Sequence, residues 1–285
     1  MVLPRRQRGI ALITALIITA IAVVLASAML WQVHLSQRRS ANILFADQAY
    51  QYLRGAEDWA TWILRRDAEQ NKFDALNEAW ATPLTGLAIE GGQLSGQLTD
   101  LQGKFNLNNL AAGLAYRKQF GRLLDALQIT APIEGAIVDW VDADSQQVDI
   151  NGAEDGYYLR QKPAYRTANT LFESVSELRL VKGITPEIYA ALTPHVTALP
   201  IGNTPINVNT ATAPVLYSLF PNPGEVDIQR ILEMRQEQPF ESINAFKQHA
   251  MGPSTTPIAV NIGVNSNFFL LHTRANIGSL GITMY

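Results

Sequence analysis

The chain has 285 residues, of which 47% are hydrophobic and 16% are charged, so it can bury a sizeable core in one large or two modest domains. Its formal net charge is −3 and it contains no cysteine. These values exclude a disulfide framework, a thiolate nucleophile and a cysteine-based metal site. A mildly acidic chain also does not favour sequence-independent binding to nucleic acid phosphates.

The first element is an N-terminal apolar helix. Residues 9–37 contain no Asp, Glu, Lys or Arg, and residues 10–31 are almost wholly apolar. At 1.5 Å per residue a helix over 10–31 spans roughly 33 Å, close to the ~30 Å hydrocarbon core of a bilayer. Arg5, Arg6 and Arg8 precede it, and the positive-inside rule keeps them in the cytoplasm. We therefore predict a single transmembrane helix, with the bulk of the chain outside the cytoplasm.

The junction before this helix predicts a processing site. Gly9 ends a short basic leader, and the apolar run begins at once with Ile10. This junction resembles the leader of type IV prepilins, which prepilin peptidase cleaves after the Gly on the cytoplasmic face. The resemblance implies a mature chain that begins at Ile10 with a methylated amine. The alternatives are a secretory signal that is cleaved near residues 26–28, and a permanent uncleaved anchor.

The fifth residue of that mature chain would be Thr14. Pilin-like proteins usually carry Glu there, and in that class the Glu pairs with the N-terminal amine of the preceding subunit during assembly. A subunit without the Glu cannot dock beneath another in this way, but it still offers its own amine to the next subunit. The resemblance thus implies a first subunit, located at a tip. The alternative is that the Thr14 hydroxyl only bonds a carbonyl of its own helix.

The rest of the chain alternates between helical and extended patterns. Apolar and small residues continue at helical spacing over 41–64, which predicts one long helix that is transmembrane and then amphipathic. Extended patterns follow over 92–108 and return over 267–284, and helical patterns fill the residues between them. We predict an α+β fold in which the long N-terminal helix packs on a pilin-like antiparallel sheet, interrupted by a large all-helical insertion domain.

This fold predicts five segments. They are a prepilin leader at 1–9, a transmembrane helix at 10–31, a pilin-like helix and first strands at 32–110, the helical insertion domain at 111–255, and closing strands at 256–285. Within the insertion, Ser174 and Glu177 have capping-box spacing. Gly183 predicts the end of that helix, and Thr185 followed by a proline predicts the start of the next one.

The densest polar group in the sequence is acidic. Six carboxylates fall within 17 residues without a Lys or Arg among them: Asp139, Asp142, Asp144, Asp149, Glu154 and Asp155. Crowded carboxylates repel one another unless a cation or solvent screens them. Oxygen ligands on a glycine-containing loop suit calcium, which accepts ~6–8 oxygens, although the spacing is not that of an EF-hand. The alternatives are a solvated acidic loop, or aspartates that merely end a helix.

Two other functions have weaker support. Paired carboxylates also occur in glycosidases, but the four histidines lack metal spacing and no nucleophile or phosphate-binding motif is present, so no enzyme is predicted. The helical units at 174–198 and 207–247 resemble the helix-hairpin-helix modules of competence DNA receptors. Their turns carry one glycine each, and prolines remove amide donors, so we interpret these units as structural. An outward-facing, membrane-anchored DNA receptor is the alternative function.

Several motifs, in one order along the chain, together resemble a family. They are the leader and helix without Glu at the fifth mature position, Asp100-Leu-Gln-Gly-Lys-Phe-Asn-Leu-Asn, Asp139-Trp-Val-Asp-Ala-Asp leading to Gly152-Ala-Glu-Asp-Gly, Ser174-Val-Ser-Glu-Leu-Arg-Leu-Val-Lys-Gly-Ile, and Ile206-Asn-Val-Asn-Thr-Ala. This combination is similar to the K-type minor pseudopilin of type II secretion systems, and the resemblance covers nearly the whole chain.

The resemblance implies a minor pseudopilin at the tip of the pseudopilus, which primes assembly with I-type and J-type minor pseudopilins for export of folded proteins across the outer membrane. It implies a single-pass inner-membrane protein with its bulk in the periplasm and no nucleic acid partner. The helical domain of this family is inserted in the pilin sheet and binds calcium. The residues that match its acidic motifs, and are thus the implied candidate ligands, are Asp142, Asp144, Glu154 and Asp155.

Overall fold

The structure is a computed structural model that describes residues 8–222, 224, 226–251, 257–278 and 280–285. The predicted leader lies outside the described residues as far as residue 7. The described helices are α1 (Arg8–Gln70), α2 (Leu114–Ala126), α3 (Glu134–Val141), α4 (Asp155–Tyr158), α5 (Pro186–Leu192), α6 (Ala213–Leu219), α7 (Ile228–Glu237) and α8 (Ile243–Ala250). The described strands are β1 (Leu84–Ile89), β2 (Gly92–Asp100), β3 (Phe105–Asn106), β4 (Val196–Thr197), β5 (Ile206–Asn207), β6 (Ile262–Gly263), β7 (Phe269–Ile277) and β8 (Leu280–Met284).

Helix α1 joins the predicted membrane segment to the predicted amphipathic segment without a break. Its most apolar 18-residue window has a mean hydropathy of 2.7, and none of that window is buried against protein. Length and composition therefore make it a candidate membrane span. Farther along α1, Ala49, Leu53 and Ala60 are buried, and their spacing places them on one face of the helix. The prediction of one long helix is confirmed.

The sheet has the strand order β1-β2-β7-β8. Its last two strands pair antiparallel, with Ala275 opposite Ile282 and Ile277 opposite Leu280. Strands β2 and β7 are neighbours although the helical segments lie between them in sequence. The chain thus leaves the sheet after β2 and returns to it at β7, which confirms the predicted α+β class with helices inserted between strands. The insertion is not all-helical, because the short strands β4 and β5 lie within it. The boundaries given above for the five segments stay predictions.

The chain clusters into two compact units. The first contains α1 up to Ala56 together with Thr85–Ser95 and Thr273–Met284. In it, Gln48 Nε2 donates a hydrogen bond of 3.1 Å to the carbonyl of Glu90, and the Glu90 amide donates one of 3.3 Å to the Tyr52 hydroxyl. These bonds fasten the amphipathic half of α1 to the turn that follows β1.

The second unit contains Glu57–Leu84 and Gly96–His272, and within it one arrangement occurs twice. Strand β3 pairs in parallel with β4, and β5 pairs in parallel with β6. The first strand of each pair begins an Asn-x-Asn motif, at Asn106 and at Asn207. In both motifs the side-chain oxygen of the first Asn accepts the amide of the second, at 3.2 Å and 3.0 Å.

The second Asn of each motif clamps a distant backbone segment. Asn108 accepts the Phe172 amide at 2.7 Å and donates to the Phe172 carbonyl at 3.0 Å. Asn209 makes the same pair of bonds with Phe240, at 2.9 Å and 3.0 Å. Glu-Ser follows both phenylalanines, and in each case the serine caps the helix that comes next. The two modules, residues 105–197 from β3 to β4 and residues 206–263 from β5 to β6, are therefore two versions of one packing scheme.

The helix starts follow the predicted caps, but the helix that Ser174 caps is a 3₁₀ helix that ends at Leu180, before the predicted Gly183. The capping box of Ser174 and Glu177 is present, and the Thr185 hydroxyl accepts the amide of Ile188 at the start of α5. Helices α6 and α7 lie within the helical unit predicted over 207–247, and α8 begins within it.

The segment over 105–108 differs from the prediction of an extended stretch. Its strand ends at Asn106, and a 3₁₀ helix, Leu107–Ala112, follows. The reason is the Asn106 side chain, which caps the Asn108 amide and so favours a turn over continued strand.

Removing the Asn108 side chain should cause a large loss of stability. Asn108→Ala should lower the free energy of unfolding by about 3 kcal/mol, since it leaves buried backbone groups of Phe172 without partners. Denaturant unfolding of the full chain in detergent measures this loss. The matched control is Asn77→Ala, at an exposed position of the same unit, which should change the same quantity by less than about 0.5 kcal/mol. Equal losses in the two variants would contradict the clamp.

Candidate metal centre

The acidic loop begins where α3 ends. Asp139 lies in the last turn of α3 and is fully buried. Its Oδ1 accepts the Val148 amide at 2.8 Å, and its Oδ2 accepts the Ala153 amide at 2.7 Å. The backbone at Gly152 passes so close to this carboxylate that a Cβ there would overlap with Oδ2. Asp139 therefore uses both oxygens to hold the loop, and glycine is needed where the loop approaches it.

Two further side chains fix the shape of the loop. Asp149 Oδ1 accepts the amides of Asn151 and Gly152, at 2.6 Å and 3.0 Å. From the other side, Lys182 Nζ donates to the carbonyls of the same two residues, at 3.1 Å and 3.0 Å. The loop backbone is thus held by a carboxylate and an ammonium group that lie far apart in sequence.

Three of the four predicted ligands lie together. One carboxylate oxygen from each of Asp142, Asp144 and Glu154 lies within 4.8 Å of the other two. Glu154 is only 6% exposed, yet neither of its carboxylate oxygens has a hydrogen-bond partner among the described residues, and the same holds for Asp142 Oδ1. A buried carboxylate without a partner is costly. A bound cation would supply the missing partner.

The electrostatics of this cluster favour uptake of positive charge. Burial is the main cause that raises the pKa of Glu154 to about 7; the nearby charges of Asp139, Asp142 and Asp144 add to it, and the Thr167 side chain opposes it. Burial also raises the pKa of Asp142, with Asp144 and Asp139 adding to the effect and Arg117 opposing it. Near neutral pH, Glu154 therefore holds a proton part of the time, and a metal ion would compete with that proton.

The fourth predicted ligand, Asp155, is directed elsewhere. Its Oδ2 accepts from Arg166 Nη1 at 2.9 Å, and its Oδ1 accepts the Thr167 amide at 3.1 Å. The structure therefore does not bring Asp155 into the cluster. The sequence does not predict the contacts of Lys182 or the loop-holding bonds of Asp139, because these depend on chain segments that meet only in the folded protein.

The predicted processing and assembly residues lie in the first turns of α1. Gly9 and Ile10 are part of the helix, and Ile10 is exposed. The Thr14 hydroxyl donates to the carbonyls of Ile10 and Ala11, at 3.0 Å each. This bond corresponds to the intrahelical alternative for Thr14, and it leaves cleavage and assembly as predictions.

Comparison with known proteins identifies the family. Two family models, both described as type II secretion system (T2SS) protein K, match residues 103–201 and 206–265, and each match contains one of the two modules. A relative in Pseudomonas aeruginosa, described as type II secretion system protein K, is 37% identical over 290 residues, covering 96% of this chain and 86% of its own. A protein of the same description in Klebsiella pneumoniae is 37% identical, covering 89% of this chain and 83% of its own.

A solved structure agrees with these matches. It is the GspK-GspI-GspJ complex of the enterotoxigenic Escherichia coli type 2 secretion system, and the similar chain in it has a TM-score of 0.73 and 25% sequence identity. The similarity covers 86% of this chain and 91% of that chain. The resemblance found in the motifs is confirmed, and the chain belongs to the type II secretion system protein K family.

Proposed function

We propose that this chain is the minor pseudopilin at the tip of a type II secretion pseudopilus, where it assembles with I-type and J-type minor pseudopilins. The observation that carries the proposal is its similarity to a chain of the GspK-GspI-GspJ complex over 86% of its length. In this role it primes the pseudopilus for export of folded proteins across the outer membrane.

The N-terminal helix fits this role in two ways. Its most apolar part is not buried by any of the described residues, which suits a helix that is held by the inner membrane before assembly and by other subunits afterwards. Thr14 has no carboxylate with which to accept the amine of a subunit above it. We therefore propose that prepilin peptidase cleaves between Gly9 and Ile10, and that the chain is the first subunit of the assembly, with its bulk in the periplasm.

The role is structural rather than enzymatic. The relatives and the solved structure described above are secretion proteins, so nothing in them favours the DNA-receptor alternative. Asp139 and Asp149 use their carboxylates to hold backbone amides, which suits a scaffold.

Processing and assembly can be tested in one purification. The full chain, isolated from cells with the secretion system, should have an intact mass that lacks residues 1–9, and two other subunits with prepilin-type leaders should co-purify. The matched control is Gly9→Leu, which should keep the leader because a bulky side chain does not fit where glycine lets the backbone extend. An uncleaved wild-type chain that purifies alone would contradict the proposal.

We also propose that Asp142, Asp144 and Glu154 hold a calcium ion. Hard carboxylate oxygens of this kind suit calcium, which tolerates irregular geometry and completes its shell with carbonyls and water. The unpartnered oxygens of Glu154 and Asp142 support the proposal, as do the bonds that hold the loop in shape. In this arrangement the ion stabilises the loop between α3 and α4.

Calcium should therefore raise the thermal stability of the full chain in detergent. At a hundredfold excess over Kd the gain is worth about 2.7 kcal/mol, which corresponds to a rise in Tm of about 5 °C or more. EGTA should reverse it. Glu154→Gln should abolish most of the gain, whereas Asp155→Asn should keep it, since Asp155 is bonded to Arg166 instead. A gain that survives Glu154→Gln would place the ion elsewhere.

Calcium affinity should also depend on pH. Without metal, the folded chain holds the Glu154 proton up to about pH 7, whereas an ordinary glutamate carboxyl releases it near pH 4.5. The metal-free fold therefore loses stability as the pH rises between these values. Because calcium needs the ionised carboxylate, its affinity should fall roughly tenfold between pH 8 and pH 6. Calorimetry in two buffers of different ionisation enthalpy would detect the released protons, and a pH-independent affinity would contradict this account.

A further inference from the structure

A second group of carboxylates lies at the C-terminal end of α1, outside the proposed metal centre. Oxygens of Asp67, Asp74 and Glu78 lie within 4.8 Å of one another, and the charge of Asp100 acts on Asp74. Asp67 is in the last turn of α1, Asp74 and Glu78 follow in the next loop, and Asp100 ends β2. The four belong to one compact unit.

These carboxylates connect α1 to the second helical module. The Asp74 amide donates to the Val264 carbonyl at 2.8 Å, and Asp74 Oδ2 accepts the Ser266 amide at 2.7 Å. Asp100 Oδ2 accepts from Asn207 Nδ2 at 3.0 Å and from Ser266 Oγ at 2.7 Å. The loop after α1 is thereby fixed to the Asn-x-Asn motif and to the segment that follows β6.

Glu78 organises the same loop from within. It accepts hydrogen bonds from Asn71 Nδ2 at 2.6 Å, from the Ala75 amide at 2.7 Å and from Trp80 Nε1 at 2.9 Å. These donors are neutral. Unlike Glu154, Glu78 is satisfied by hydrogen bonds. The carboxylate of this group that lacks a hydrogen bond is Asp67, whose buried Oδ2 has no partner among the described residues.

No basic side chain neutralises the group within the described parts of the chain. Arg65 and Lys72 line a cavity of about 470 Å³ beside Asp74, but no ion pair joins either to these four carboxylates among the described residues. The 265–267 segment that faces Asp74 contributes Asn265, Ser266 and Asn267, none of which titrates. Four carboxylates therefore face neutral donors and one another.

We infer that this group is a proton-sensitive latch that holds the end of α1 to the second helical module. When the group takes up one proton from solvent, Asp67 or Asp74 donates a hydrogen bond to a neighbouring carboxylate. This bond stabilises the arrangement of the four carboxyl groups. With that proton lost, the like charges repel one another and the loop over 71–78 is held less tightly. The latch thus closes on acidification and loosens toward neutral pH.

The titration of the two aspartates agrees with this geometry. Burial, with Glu78 adding, raises the pKa of Asp67 from 3.8 to about 6. Burial is also the main cause that raises the pKa of Asp74 to about 6; the Ser266 amide opposes it, and Asp100, Asp67 and Glu78 add to it. Because the folded chain binds these protons more tightly than the unfolded chain, stability should fall as the pH rises from about 4 to about 6.

Asp67→Asn tests the latch, because the amide mimics the protonated carboxyl. In the full chain in detergent with EGTA, the variant should have a Tm at least about 2 °C above wild type at pH 7.5, and this difference should disappear at pH 4.5. The control is Glu69→Gln, which removes a charge from the same last turn of α1 at an exposed position. Like Asp67→Asn, it removes an unfavourable negative charge from the C-terminal end of the helix dipole. Unlike Asp67→Asn, it should leave the pH dependence of the Tm unchanged.

Three results would overturn the inference. They are a Tm of Asp67→Asn below wild type at pH 7.5, an equal effect of Glu69→Gln, or stabilisation by added Mg²⁺ or Ca²⁺ that depends on Asp67 in a Glu154→Gln background. The last result would mean that the group binds a cation instead of a proton. If Asp67→Asn does not fold, Asp74→Asn should show the same pH-dependent gain, since its amide oxygen can still accept the Ser266 amide.

Discussion

Two buried asparagines hold the helical part of this chain together. Asn108 and Asn209 each bond both the amide and the carbonyl of one phenylalanine, and so join chain segments separated by 64 and 31 residues. Each bond satisfies a backbone group that would otherwise be buried without a partner. The short parallel pairs β3–β4 and β5–β6, the caps at the serines after each phenylalanine and the shared core all rely on these clamps.

The clamps also explain where the acidic loop lies. In the second module, α7 ends at Glu237 and the clamped Phe240 follows almost at once. In the first module, α3 is the helix that precedes the clamped Phe172. The acidic loop and α4 lie between the end of α3 and Phe172. Because both ends of this insertion are fixed by the module, the buried Asp139 can hold the loop and Glu154 stays buried although it has no hydrogen-bond partner among the described residues.

Two groups of carboxylates in the second unit differ in the hydrogen-bond partners that surround them. At Glu154, buried oxygens that lack hydrogen-bond partners lie beside the exposed Asp144. A cation could reach these oxygens from solvent and coordinate them. At Asp74 and Glu78, the oxygens accept neutral donors from the surrounding backbone and side chains, which leaves repulsion to be relieved by a proton. We therefore propose that carboxylates bind a metal ion in one place and act through a shared proton in the other.

The sequence alone determined the long apolar helix, the α+β class, most of the helices, the caps at Ser174 and Thr185, and the family. These features depend on local periodicity, composition and motif order, which a linear chain displays directly. Only the tertiary structure decided which carboxylates meet. Asp155 turns to Arg166, Asp139 turns to backbone amides, and Asp67 meets residues from the loop after α1. The partners and the pKa of each carboxylate depend on which chain segments fold against it, and the sequence does not show these contacts.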